Sequence, residues 1–160
     1  MPQYVAWLTS KGCNCCYTYG GQRHPPGQMS IIQEITDQVV GLIGCGPPNS
    51  CNLNWYDDQT QALEWHADDE DLFAGKTRDT AIVFLSLGAS RDFEIRPISA
   101  EVPIAFNGLG VRLENGHICV MEGLMQKHYK HRIAKEYTSI GPRVSLTWRW
   151  VKKHHKSCKV

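Results

Sequence analysis

His66 and Asp68 stand two residues apart in the stretch Leu63-Glu64-Trp65-His66-Ala67-Asp68-Asp69-Glu70. On an extended strand such residues face the same way, so an imidazole and a carboxylate can reach one point, as two ligands of a metal ion do. A second histidine would complete the two-histidine, one-carboxylate face that suits Fe(II) and leaves coordination positions open. An H-x-D triplet also arises by chance, and in isolation an acidic surface turn through Asp69, Glu70 and Asp71 explains it as well. The third ligand must come from far away in the chain, where His117, His128, His131, His154 and His155 are available. His128 and His131 lie where a strand, a turn and a polar loop could carry an imidazole back, and spacing alone leaves the two open.

A second segment, Arg143-Val144-Ser145-Leu146-Thr147-Trp148-Arg149, alternates strictly. Arg143, Ser145, Thr147 and Arg149 fall on one face of a strand, and Val144, Leu146, Trp148 and Trp150 on the other. The two arginines are then about 20 Å apart along the strand, a gap that two long side chains could close around a small dicarboxylate. Alone, the pattern also fits an ordinary amphipathic strand.

The elements that would position these groups are mostly strands. Residues 51–56, 65–68, 81–87, 93–97, 117–122 and 143–151 read as strands, and 16–21 as a strand closing into a glycine turn. Residues 29–43 carry apolar side chains at 31, 32, 35, 39, 42 and 43, the stripe of an amphipathic helix, with Ser30 and Gln33 spaced as a capping box and Gly44, Gly46, Pro47 and Pro48 as its stop. Many short strands and one helix imply a mainly β protein with a flanking helix (α+β), its strands in two packed sheets of jelly-roll type.

A chain of 160 residues, 42% hydrophobic and 21% charged, suits one domain over residues 1–160, with a core of about 13–151 and a basic tail, 152–160. Its formal net charge of +1 announces no nucleic-acid or membrane partner by overall field, although basic residues gather at 127–135 and in the tail. With no export signal and no apolar stretch of spanning length, a soluble intracellular protein and a monomer are expected. The seven cysteines then read as free thiols, and the run Cys13-Asn14-Cys15-Cys16, with His154, His155 and Cys158 as distant partners, lacks the spacing of the common zinc motifs.

Five segments in order resemble the AlkB family of Fe(II)- and 2-oxoglutarate-dependent dioxygenases: Tyr17-Thr18-Tyr19-Gly20-Gly21; Asn54-Trp55-Tyr56; His66-Ala67-Asp68-Asp69-Glu70; Ser86 to Phe93, with Arg91; and His131 followed by Arg143 to Arg149. The resemblance implies a double-stranded β-helix, a form of jelly roll. It implies His66, Asp68 and His131 as catalytic iron ligands, settling His131 over His128. For 2-oxoglutarate it implies Arg143 and Tyr56 at the distal carboxylate and Arg149 and Asn54 nearer the metal, with Ser145 standing where the family usually has asparagine. Tyr17, Tyr19, Glu70 and Arg91 are the implied substrate-binding residues, although the tyrosines could equally be core.

The activity so implied is oxidative demethylation of N-alkylated bases, coupled to conversion of 2-oxoglutarate and O2 to succinate and CO2 with release of formaldehyde. Only sixteen residues precede Tyr17, which leaves little room for the family's nucleotide-recognition lid and favours single-stranded DNA or RNA as partner. Two other classes fit less well: an oxygenase of the same type acting on a protein or small molecule, and a catalytically silent nucleic-acid-binding module, which would have no use for the intact ligand and arginine set.

Overall fold

A computed structural model describes residues 1–2, 4–19, 21–99 and 110–160, with Tyr19 described for its backbone only. The strands are β1 (Tyr4–Thr9), β2 (Tyr17–Tyr19), β3 (Gln22–His24), β4 (Gly27–Gln28), β5 (Ser50–Tyr56), β6 (Leu63–His66), β7 (Ile82–Gly88), β8 (Arg91–Pro97), β9 (Gly110–Leu113), β10 (Ile118–Met121), β11 (Tyr129–Ile133) and β12 (Arg143–Arg149). A 3-10 turn (Met29–Ile32) leads into helix α1 (Gln33–Ile43), and a single helical turn, α2 (Met125–His128), precedes β11. Six strands form a major sheet in the order β10-β7-β12-β5-β1-β4, four a minor sheet in the order β6-β11-β8-β9, and β2 and β3 a separate hairpin. This is the expected jelly-roll core, mainly β with a flanking helix. No helix among the described residues is long and apolar enough to cross a membrane.

Alternation along β5, β7 and β12 gives the major sheet two different faces. On the outer face Cys51, Val83, Leu85, Leu146 and Trp148 pack with Leu8, Met29 and Val39 beneath α1, and the Trp148 indole donates to Thr36 Oγ1 at 3.0 Å. On the inner face Tyr56, Ile82 and Phe84 meet Phe93, Leu113, Met121 and Ile133. That second cluster is the apolar filling between the sheets, and the polar residues of β5 and β12 lie beside it.

Several elements differ from the sequence reading. The segment 29–43 is broken into a 3-10 turn and an α-helix, and no side chain caps either start, so Ser30 and Gln33 form no capping box. Only Ile32, Ile35, Val39 and Ile43 face the sheet, while Ile31 and Leu42 point to solvent at 75% and 77% exposure. The stop is as expected, with Gly44 left-handed at φ 66°. The core does not begin at residue 13, because β1 pairs along its whole length with β5. The basic tail is tied to the body: Lys152 and Lys153 donate backbone N–H bonds to Leu72 O, and Lys159 N donates to Gly12 O at 2.7 Å.

Gly88 closes β7 where it must pass β12. Its φ is +90°, and a Cβ there would lie 2.4 Å from Pro142 O, against the residue preceding Arg143. Gly116 has φ +85° but open space around it. Gly116→Ala is therefore expected to cost the backbone strain alone, about 1–2 kcal/mol, and Gly88→Ala clearly more. Denaturant titration of the two variants measures the difference, and equal losses would remove any special role for the Gly88–Pro142 approach.

Candidate metal and cosubstrate site

β6 and β11 pair antiparallel with His66 opposite His131, which sets the two imidazoles side by side with ring centroids 4.2 Å apart. His131 thus belongs to a strand and not to a polar loop. Along β11 the buried His131 and Ile133 alternate with the half-buried Lys130 and Arg132, a period-two signal masked by the basic residues. Asp68 lies beyond the end of β6, not on it. Its backbone N–H donates to the Gln126 side chain at 2.9 Å, and Gln126 is itself buried in α2. Gln126 carries no motif and was invisible in the sequence.

The ligand atoms of His66, Asp68 and His131 all lie within 4.8 Å of one another. His66 Nδ1 meets Glu64 O at 2.8 Å, which requires that nitrogen to carry the proton and leaves Nε2 as a lone-pair donor. That Nε2 is 3.6 Å from Asp68 Oδ1. The other carboxylate oxygen, Oδ2, accepts from Arg149 Nε at 3.2 Å and Nη2 at 2.7 Å. Asp68 therefore divides its work, one oxygen toward the histidines and one toward the arginine.

Burial would raise the Asp68 carboxyl, but the Arg149 guanidinium and the histidines outweigh it and hold it well below the usual carboxylate range. Arg149 is pushed down by burial and pulled up further by Asp68, so it stays charged. Burial, followed by the nearby His66, lowers His131 to about 3, with Asp68 opposing. A neutral imidazole is the form that binds a metal.

The His131 shift has a sign. Below the unfolded value of about 6.5 the unfolded chain takes up a proton that native His131 refuses, so stability is lost as pH falls from there toward 3. Metal-free protein is expected to show a falling denaturation midpoint between roughly pH 6.5 and pH 5, and His131→Gln to flatten that slope. An unchanged slope in the variant would assign the acid sensitivity elsewhere.

Arg143, Ser145, Thr147 and Arg149 of β12, with Asn52, Asn54 and Tyr56 of β5, line one cavity with the three candidate ligands, closed by Leu63, Phe84, Phe93, Met121 and Ile133. The register places Arg143 opposite Tyr56 and Ser145 opposite Asn54. Arg143 Nε donates to Ser86 Oγ at 2.9 Å, while its Nη1 and Nη2 are buried without a hydrogen-bond partner, as are Arg149 Nη1 and His131 Nδ1. Buried cationic donors are costly unless matched. Three unmatched guanidinium nitrogens on one strand fit a ligand with two carboxylates, and the His2Asp donor set fits Fe(II). Asn52, not among the residues expected from the sequence, also lines the cavity and donates to Asn54 Oδ1 at 3.1 Å; its signal is its place two residues before Asn54 on the same face.

The expected substrate contacts fare differently. Arg91 does not line the cavity: it is fully buried, donates to the carbonyls of Asp58, Gln61 and Ala134, and lies 5.4 Å from the Tyr56 ring centroid, so it supports Tyr56 from behind. Tyr17 is 2% exposed, with its ring 4.9 Å from Trp7 and 5.9 Å from Phe73, and Arg149 sits 5.7 Å from it. That ring offers no face for stacking and instead forms the wall behind Arg149. Glu70 lies near Asp68 and Arg149, raised above the ordinary carboxylate range by burial and by the Asp68 charge. The side chain of Tyr19 lies outside the described residues.

Comparison with known proteins agrees with this geometry. The sequence matches the 2OG-Fe(II) oxygenase superfamily over residues 3–149. It is 37% identical over 110 residues to alpha-ketoglutarate-dependent dioxygenase alkB homolog 3 of Mus musculus, covering 64% of this chain and 36% of that protein. It is 28% identical over 171 residues to DNA oxidative demethylase ALKBH2 of Arabidopsis thaliana, covering 94% of this chain and 53% of that protein. The chain thus spans between about a third and a half of the length of these relatives. A solved structure titled "The structure of OsALKBH1" superposes with a TM-score of 0.63 at 16% identity, over 94% of this chain and 82% of the other, which shows a shared fold. With the cavity, the arginine strand and the matched sequence in agreement, the chain belongs to the 2OG-Fe(II) oxygenase superfamily, and within it to the AlkB family.

Proposed function

We propose that the protein is an Fe(II)- and 2-oxoglutarate-dependent dioxygenase that oxidatively removes methyl groups from N-alkylated bases in nucleic acid, single strands preferred. The convergence of His66, Asp68 and His131 on one point, in the cavity that also holds the unmatched nitrogens of Arg143 and Arg149, carries this reading. The demethylase name of the Arabidopsis relative supports the substrate class.

His66, Asp68 and His131 would hold the iron, which when bound supplies the oxidising power for attack on an unactivated C–H bond. Arg143, with Tyr56 beside it, takes the distal carboxylate of 2-oxoglutarate. Arg149 Nη1 is free to meet the nearer carboxylate, while its other nitrogens keep Asp68 oriented. The apolar wall of Leu63, Phe84, Phe93 and Ile133 excludes water from the reacting face. Hydroxylation of the N-methyl carbon gives a hemiaminal that breaks down to formaldehyde and the unmodified base.

A methyl carbon can reach this point only on a base outside a helical stack, and an unpaired nucleotide spares the few kcal/mol of extrusion. Glu70, close to the metal carboxylate, is the candidate to hydrogen-bond the base. The exposed Lys127 and Lys135 add cationic surface of the kind that holds phosphates. The test is succinate and formaldehyde release over methylated and unmethylated oligonucleotides, single- and double-stranded. Methyl-dependent formaldehyde, greatest on single strands, is the expected result; equal turnover of duplexes would defeat the strand preference. Succinate stimulated only by a protein or metabolite would transfer the chemistry to another substrate.

A further inference from the structure

Cys13, Cys15, His154 and Cys158 come together from two stretches far apart in sequence, their ligand atoms all within 4.8 Å of one another. Cys13 Sγ lies 3.5 Å from His154 Nδ1, and Cys15 Sγ lies 3.5 Å from Cys158 Sγ. A disulfide would need about 2.05 Å between sulfurs, whereas tetrahedral zinc, with bonds of about 2.3 Å to sulfur and 2.0–2.1 Å to nitrogen, sets ligand atoms about 3.5–3.8 Å apart. These two spacings lie close to tetrahedral edges. We propose that these four residues form a structural zinc site that clips the tail onto the loop between β1 and β2.

Three further observations support the assignment. Three sulfurs and one imidazole form a closed set of four, the composition of structural zinc sites, and thiolate-rich ligation disfavours harder cations. Two backbone amides point at the sulfurs, Asn14 N to Cys158 Sγ and His155 N to Cys15 Sγ, each at 3.2 Å. Such donors suit sulfurs that carry negative charge. The ligand-bearing backbone is also fixed without a metal: Thr9 Oγ1 donates to Cys13 O and Trp7 Nε1 to Cys15 O, both at 2.8 Å, and Asn14 Nδ2 donates to Ser157 O at 3.1 Å. Cys13 and Cys15 are buried, so the loop and the tail arrive with their donors already aimed inward.

The site has a structural reach. Cys15 and Cys13 share a cluster with Trp7, Tyr17 and Phe73, and Arg149 lies over both the Tyr17 and Phe73 rings at 5.7 and 5.3 Å. The clip would thus brace the wall behind the arginine that orients Asp68. It would also hold Lys152, Lys153 and Lys156 on the body of the protein instead of on a loose end.

The experiment uses the full chain. Zinc released by a thiol-reactive mercurial, measured colorimetrically, and the spectrum of cobalt-substituted protein both report sulfur ligation, which His66, Asp68 and His131 cannot supply. One zinc released per chain and sulfur-to-cobalt charge-transfer absorption are expected. Cys13→Ser and Cys158→Ser should abolish both, while His154→Cys should retain zinc and strengthen the absorption, which separates ligand loss from misfolding. Half-exposed Cys158 should resist alkylation until a strong chelator is added. Absence of mercurial-released zinc and of charge-transfer absorption in the wild-type protein, or a Cys15–Cys158 disulfide under reducing purification, would overturn the proposal.

Discussion

Asp68→Ala is expected to abolish iron binding and turnover and also to lower the unfolding free energy by about 3–5 kcal/mol, the usual cost of breaking a buried ion pair. The two losses have separate origins in the two carboxylate oxygens. Oδ1 faces His66 Nε2, and without it two neutral imidazoles remain to hold a dication. Oδ2 neutralises Arg149, which is 4% exposed and cannot recover its charge balance from solvent. The double variant Asp68→Ala/Arg149→Met should therefore regain much of the stability and none of the activity. Metal analysis and denaturant titration of the single and double variants measure both effects. Wild-type turnover in Asp68→Ala would remove it from the ligand set, and a stability loss that Arg149→Met fails to relieve would mean that the pair is not its source.

Arg143→Met should move stability and function in opposite directions. The guanidinium is 1% exposed with two unmatched nitrogens, and burial and the nearby Arg91 charge lower its pKa against the opposing pull of Tyr56, so in the absence of a carboxylate it is a liability to the fold. A flexible apolar side chain of similar length should leave the metal-free protein as stable or more stable. The 2-oxoglutarate requirement should rise roughly 30-fold to a few thousand-fold, since losing one partner of a buried charged contact costs about 2–5 kcal/mol. Thermal unfolding with and without 2-oxoglutarate separates the two: the ligand should raise the midpoint of the wild type and not that of the variant. Equal ligand-induced shifts would place the distal carboxylate elsewhere.

What the sequence disclosed follows from what short-range periodicity can encode. Arg143, Ser145, Thr147 and Arg149 share a face because β12 is a regular strand, and Asn54 and Tyr56 share one on β5 for the same reason. His66 and His131 meet through strand register, a long-range fact that no local pattern carries, and only the family resemblance chose His131 over His128. Tyr4–Thr9, absent from the strands expected above, carries its strand signal in a run of aromatic and aliphatic residues. Tyr17 shows the converse limit: alternating aromatics indicate a strand but not which sheet or cluster buries the ring. The sequence offers Cys13, Cys15, His154 and Cys158 as partners, but its spacing argues against a zinc motif, because the two halves lie far apart, at |i−j| of 141 and 143, with a single residue between Cys13 and Cys15.

The position of β12 between β5 and β7 governs how this protein can be made. Both flanking strands emerge from the ribosome long before the strand that joins them, and each must wait with an unpaired edge. The major sheet therefore cannot close, nor can Arg149 meet Asp68, until residues 143–149 have been made. Pairing across such long sequence separations is slow, on the millisecond-to-second scale typical of sandwich topologies. During that interval the strand edges of Ile82–Gly88 and Ser50–Tyr56 are open to another chain, so aggregation on refolding should rise steeply with protein concentration.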